Sequence, residues 1–107
     1  MRIVTFHRYL SEDDSLRVEF DLERGKVIRF MVQLECRFDG ASDWIPVLRY
    51  DTAHGFAHRD LLHPSRAEVK TELIVKDYNE ALDIALSDLA SNWHDYRRSY
   101  EQWLKQQ

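Results

Sequence analysis

Two stretches of strict alternation, separated by a short turn, constrain this chain more than anything else in it. In SLRVEFDL, residues 15–22, Leu16, Val18, Phe20 and Leu22 fall on one side of an extended backbone, and Arg17, Glu19 and Asp21 on the other. In residues 27–38, Ile28, Phe30, Val32, Leu34, Cys36 and Phe38 share a side, with Arg29, Gln33, Glu35 and Arg37 opposite. The turn ERGK between them contains Gly25, which is free to take positive φ. Period two on both sides of a tight turn predicts a β-hairpin with one apolar and one polar face. Such a sheet must cover its apolar face. The expected core therefore includes Leu16, Val18, Phe20, Ile28, Phe30, Val32 and Leu34.

Further strands are expected at residues 2–10, 44–52, 56–62 and 68–74, with SEDDS and Asp39-Gly40 as turns and Pro46 at a strand start or edge. At Asp77 the period changes. Asp77 and Glu80 form a helix-start pair, and Tyr78, Leu82, Ala85, Leu89, Trp93, Tyr96, Tyr100 and Trp103 then recur at spacings of four and three. The fold class is α+β: an antiparallel meander of five or six strands in residues 1–75, then one long helix over 77–105 packed on the sheet, all in a single domain spanning 1–107. Leu82, Ala85 and Leu89 should complete the core. At 1.5 Å per residue the helix is roughly 43 Å long, against a radius of gyration near 13 Å expected for a domain of this size. Its end should overhang the sheet, leaving Tyr100, Trp103 and Leu104 as an apolar patch for a second copy, so a homo-oligomer is expected.

Composition narrows the function classes. A single cysteine, Cys36, excludes a disulfide framework and points to a reducing compartment. The N-terminal MRIVTFHRYL has no apolar leader, and no run approaches the roughly 20 apolar residues of a membrane span, so a cytoplasmic location and no membrane partner are expected. The net charge of −4 argues against a general phosphate-backbone binder. The excess is uneven, with three basic and six acidic residues in 77–107 against 12 and 13 before them.

The densest chemistry lies in RYDTAHGFAHRDLLHP, residues 49–64, which holds His54, His58 and His63 of the chain's five histidines. As a hairpin turning at Thr52–Gly55 it has two plausible registers. A bulged turn sets Tyr50 opposite His58 and groups Tyr50, His58 and Asp60 on one face. A two-residue loop sets Arg49 opposite His58 and puts Asp51 and Asp60 on one face. Either arrangement suits a purely structural sheet surface, because Tyr–His and Arg–Asp cross-strand pairs stabilise sheets. It also suits acid–base chemistry. His58 is the candidate proton-transfer group and His54 the second. Asp51 or Asp60 would orient the ring, Arg49 or Arg59 would stabilise an anionic phosphorane, and Tyr50 stands beside them. A metal-independent ribonuclease needs such parts: a base for the 2′-hydroxyl, an acid for the leaving group, and a cation. No cofactor is expected. On a strand His58 and Asp60 could chelate a metal, but there is no Cys pair and no H-E-x-x-H, and His63 would face away, so no native metal is expected. Cys36 lies on an apolar face and reads as an inert core thiol.

Arg49, Tyr50, Asp51, Ala53, His54, Gly55 and His58, set between a β-meander and a long helix, resemble the R-Y-D-x-A-H-G pattern of TumE-type small bacterial toxins and of neighbouring uncharacterised small proteins. Thr52 departs from that pattern, which has Asn there. The resemblance implies a toxin component paired with a helix-turn-helix antitoxin protein, with RNA as a candidate substrate. The rival readings are a non-enzymatic interaction module working through the long helix, and a His/Asp metal-binding protein.

Overall fold

The structure is a computed structural model and describes residues 1–41 and 43–107. Six strands run β1 (Arg2–Ser11), β2 (Asp14–Glu23), β3 (Lys26–Cys36), β4 (Ile45–Asp51), β5 (His58–Leu61) and β6 (Val69–Glu72), followed by one helix, α1 (Tyr78–Lys105). Each strand pairs antiparallel with the next in sequence, giving one sheet in the order β1-β2-β3-β4-β5-β6. The α+β meander follows from the alternation. Arg24 and Gly25 both take positive φ, 53° and 78°, in the two-residue turn between the paired ends Glu23 and Lys26. Asp77 caps the helix by accepting from the Glu80 amide at 2.9 Å.

The helix lies over β3 and β4. Leu16, Val18, Phe30, Val32, Leu34, Leu48, Ala81, Leu82, Ala85 and Leu89 meet beneath it as one buried core. Two expected members of that core are not fully buried in it. Phe20 is only half-buried, and Ile28 is exposed. The cause at Ile28 is a bulge: Asp21 pairs with Arg29 and Leu22 with Val27, leaving Ile28 unmatched. One extra residue reverses the alternation, so Val27 turns inward in its place. A second bulge, at Val47, lets Val47 and Leu48 both be buried.

The helix does not overhang. Tyr100 is buried and stacks on Phe38 with ring centroids 5.7 Å apart, and Trp103 sits 4.8 Å from His63. The domain is elongated, 45 × 26 × 21 Å with a radius of gyration of 14.2 Å, so a 28-residue helix of about 42 Å fits its long axis. An isotropic estimate of size misjudged the covered length. The patch expected to recruit a second copy is thus occupied by the chain's own loops.

Candidate functional site on the open face of the sheet

With the helix on one face, the other face of the sheet is open and polar, and the β4–β5 hairpin brings Arg49, Asp51, His58 and Asp60 there. The pairs are Leu48–Leu61, Arg49–Asp60, Tyr50–Arg59 and Asp51–His58, joined by a loop from Thr52 to Ala57 that contains a 3-10 turn at Ala53–Gly55. Neither expected register occurs. The first is displaced by one residue, which reverses its faces. The second is displaced by two, which keeps its grouping: Arg49, Asp51, His58 and Asp60 share the open face. Tyr50 goes to the helix side. His54 takes φ 70° in the turn, with its exposed ring 6.3 Å from that of His58. The longer loop is fixed by Thr52, whose Oγ1 accepts from the Phe30 amide at 3.1 Å while its own amide donates to the Phe30 carbonyl at 3.2 Å.

His58 is 1% exposed. Its Nδ1 lies 3.2 Å from the Phe56 carbonyl, an atom that can only accept, so Nδ1–H donates there and Nε2 faces the carboxylates. Nε2 is 2.8 Å from Asp51 Oδ1 and 3.4 Å from Asp60 Oδ2. Asp51 Oδ1 also accepts from the Ala53 amide at 3.0 Å, and Asp60 Oδ1 from Lys70 Nζ at 2.8 Å. Arg49 donates through Nε to Gln33 Oε1 at 2.7 Å. Access is unequal: the Lys70 and Asp51 side chains are 38% and 15% exposed, that of Asp60 only 6%. Asp51 also lines a shallow hollow of about 330 Å³ with Glu19, Arg29, Met31 and Thr52. Of Asp51, His58 and Asp60, Asp51 is thus the most accessible.

Lys70 and Arg29 were not anticipated as members of this surface. Each sits in a predicted strand, but no local signal says which residue of β6 lies beside Asp60. Conversely, three other candidates fall outside it. Tyr50 and Tyr96 both donate to Asp88 Oδ2, at 2.6 and 2.7 Å, and Arg59 Nη1 points at the Tyr96 hydroxyl. His63 Nδ1 accepts from the Ser65 and Arg66 amides and shapes the β5–β6 loop. Burial, reinforced by Asp14, pushes the Cys36 thiol far up, which removes it as a nucleophile.

A model of a domain of unknown function, DUF7718, matches residues 1–106. The chain belongs to the DUF7718 family. Neither the curated proteins nor the solved structures contain a match to it. No helix of this DUF7718 protein, among the described residues, is long and apolar enough to cross a membrane. A hollow of about 670 Å³ lies along the first half of α1 and is lined by Asp77, Glu80, Asp83 and Asp88 with neutral side chains and Lys76. That lining is predominantly acidic, whereas Arg49, His58 and Lys70 stand on the opposite face of the sheet.

Proposed function

We propose that this protein is the toxin component of a bacterial toxin–antitoxin pair, acting in the cytoplasm on RNA through the open face of β4 and β5. The observation that carries the reading is convergence. Arg49, Asp51, His58 and Asp60 come from two strands and stand together, with His58 Nε2 held between two carboxylates. Arg29, beside the hollow that Asp51 lines, and Lys70, beside Asp60, supply positive charge for a phosphodiester. Asp51 is the member of the centre that a substrate can reach, and His58 is a positioning residue behind it. The resemblance carried by Arg49, Tyr50, Asp51, Ala53, His54, Gly55 and His58 supplies the antitoxin partner and the class of target.

The rival reading, an interaction module, rests on a different surface: the acidic hollow along α1, which suits a basic protein segment better than RNA. One experiment separates the two. Wild type, Asp51→Asn and Asp83→Asn are expressed without any partner gene, with thermal melts to show that each is folded. The proposal expects wild type and Asp83→Asn to slow growth and fragment cellular RNA, and Asp51→Asn to do neither. A harmless wild type that leaves RNA intact sinks the toxin reading and promotes the interaction module.

A further inference from the structure

The open-face cluster has a property that convergence alone does not require. One atom from each of Asp51, His58 and Asp60 lies within 4.8 Å of the others. An ion bonded to nitrogen and oxygen ligands at about 2.0–2.2 Å keeps any two of them within about 4.4 Å. Only ligands directly opposite each other stand that far apart, and in a tetrahedral site the spacing falls to about 3.6 Å, so closing the three around one ion takes a shift of a few tenths of an ångström to about an ångström.

Each of the three is also gripped from behind by a group outside the trio. The Phe56 carbonyl takes the Nδ1 proton of His58 and aims Nε2 at the carboxylates. The Ala53 amide holds Asp51 at 3.0 Å, and the Lys70 ammonium holds Asp60 Oδ1 at 2.8 Å, leaving Oδ2 turned toward the imidazole. Outer partners of this kind, a carbonyl on the imidazole and donors on the carboxylates, are what orient metal ligands. They come from the 3-10 turn and loop before β5 and from β6, so the arrangement is a product of the sheet and not of one local turn. A purely structural ion pair would need only two charges. Here two carboxylates, Asp60 buried and Asp51 at the rim, share one imidazole that is 1% exposed, and a bound cation offsets the cost of holding the two negative charges together.

We propose that Asp51, His58 and Asp60 form a site for one divalent transition-metal ion, with Mn²⁺ and Zn²⁺ the cations that best match one imidazole and two carboxylates. The ion sits among Nε2 and the two carboxylates, and its open coordination positions face the hollow beside Asp51. This deepens the RNA reading by giving that site a phosphate-binding ion, and the site stands or falls separately from it.

The test uses the full chain, stripped with EDTA and titrated with Mn²⁺ and with Zn²⁺ by calorimetry, with melting temperature followed in parallel. One equivalent should bind and raise the melting temperature. Asp51→Asn and Asp60→Asn should each weaken binding by at least about tenfold, and His63→Gln should not. Asp51→Asn lies at the rim and keeps an acceptor for the Ala53 amide, so it reports on binding even if the buried Asp60 variant is unstable. Absence of binding by either cation up to about 1 mM, or binding that a folded Asp51→Asn leaves unchanged, overturns the site. RNA fragmentation that persists in EDTA without cation binding would overturn the ion and keep the RNA reading. Cation binding by a harmless protein would do the reverse.

Discussion

Thr52 does by side chain what a β4 residue would do by backbone. Its hydroxyl accepts from the amide of Phe30, a residue 1% exposed, and so carries the β3–β4 pairing one step past the end of β4. Removing that oxygen leaves a buried donor without a partner, which costs about 1–3 kcal/mol. Thr52→Val is expected to lose that much in urea unfolding, while Thr52→Ser stays within about 0.5 kcal/mol of wild type. Equal stability of the two variants would show that the Phe30 amide finds another acceptor. The same residue explains why the hairpin register escaped sequence reading. Gly55 signals a tight turn, and it does take φ 86°, but the positive φ of His54 and the Thr52 bond lengthen the loop to six residues. No local rule specifies that the acceptor for a β3 amide will be a side chain from β4.

At the scale of elements, the polar locks that hold α1 to the sheet include those of Arg97 and Asp88. Arg97 reaches Asp14 on β2 and the Arg37 carbonyl, with its guanidinium 4.7 Å over the Phe38 ring. Asp88 accepts from Tyr50 on β4 and from Tyr96 on the helix itself. Burial first, and then the hydrogen bond to Asp88, push the Tyr50 hydroxyl well above its usual 10 and the Tyr96 hydroxyl up to about 12. An unfolded tyrosine ionises near 10. Between about pH 10 and 12 the unfolded chain therefore loses protons that the folded chain keeps, and stability falls as pH rises. The contribution is full below pH 10 and disappears as pH passes the folded values. Denaturant unfolding should show this decline in wild type and a shallower one in a Tyr50→Phe, Tyr96→Phe double variant. Identical slopes would mean that the two hydroxyls are not coupled to folding.

Over the whole molecule, protection is uneven. β3 is paired on both sides and lies under the helix, whereas β1 is an edge strand outside the helix's cover, with Ile3, Phe6 and Tyr9 exposed. Long apolar edge strands open and pair readily, and here Arg2, His7 and Arg8 add the polar and charged groups that discourage it. Native-state hydrogen exchange should find the β2-bonded amides of β1 exchanging at least about tenfold faster than the amides of β3, which should exchange only with global unfolding. Matching rates in the two strands would show that the sheet opens as one unit. In the same frame the proposed site occupies β4 and β5, beside the protected centre, where a constellation of side chains is held in place.

What the residues determined by themselves was everything that depends on local period. Alternation of two made the strands, turns at Gly25 and Gly40 bounded them, and the four-and-three spacing after Asp77 made one helix with Leu82, Ala85 and Leu89 on its buried side. The shared face of these side chains was legible for the same reason: residues two apart on a strand point the same way, which kept Arg49 with Asp51 and His58 with Asp60. Tertiary structure decided what crosses between strands. A bulge at Ile28 turned Val27 inward, because inserting one residue into a ladder inverts its alternation. The pairing offset between β4 and β5 set Asp51 against His58 and sent Tyr50 to the helix. Lys70 reached Asp60 through a pairing of β5 with β6 that no nearby residue encodes. The helix end was covered by contacts distant in sequence, Phe38 on Tyr100 and His63 on Trp103. Period is a property of neighbours in the chain, whereas register and cover are properties of neighbours in space, and those are fixed only when the sheet closes against its helix.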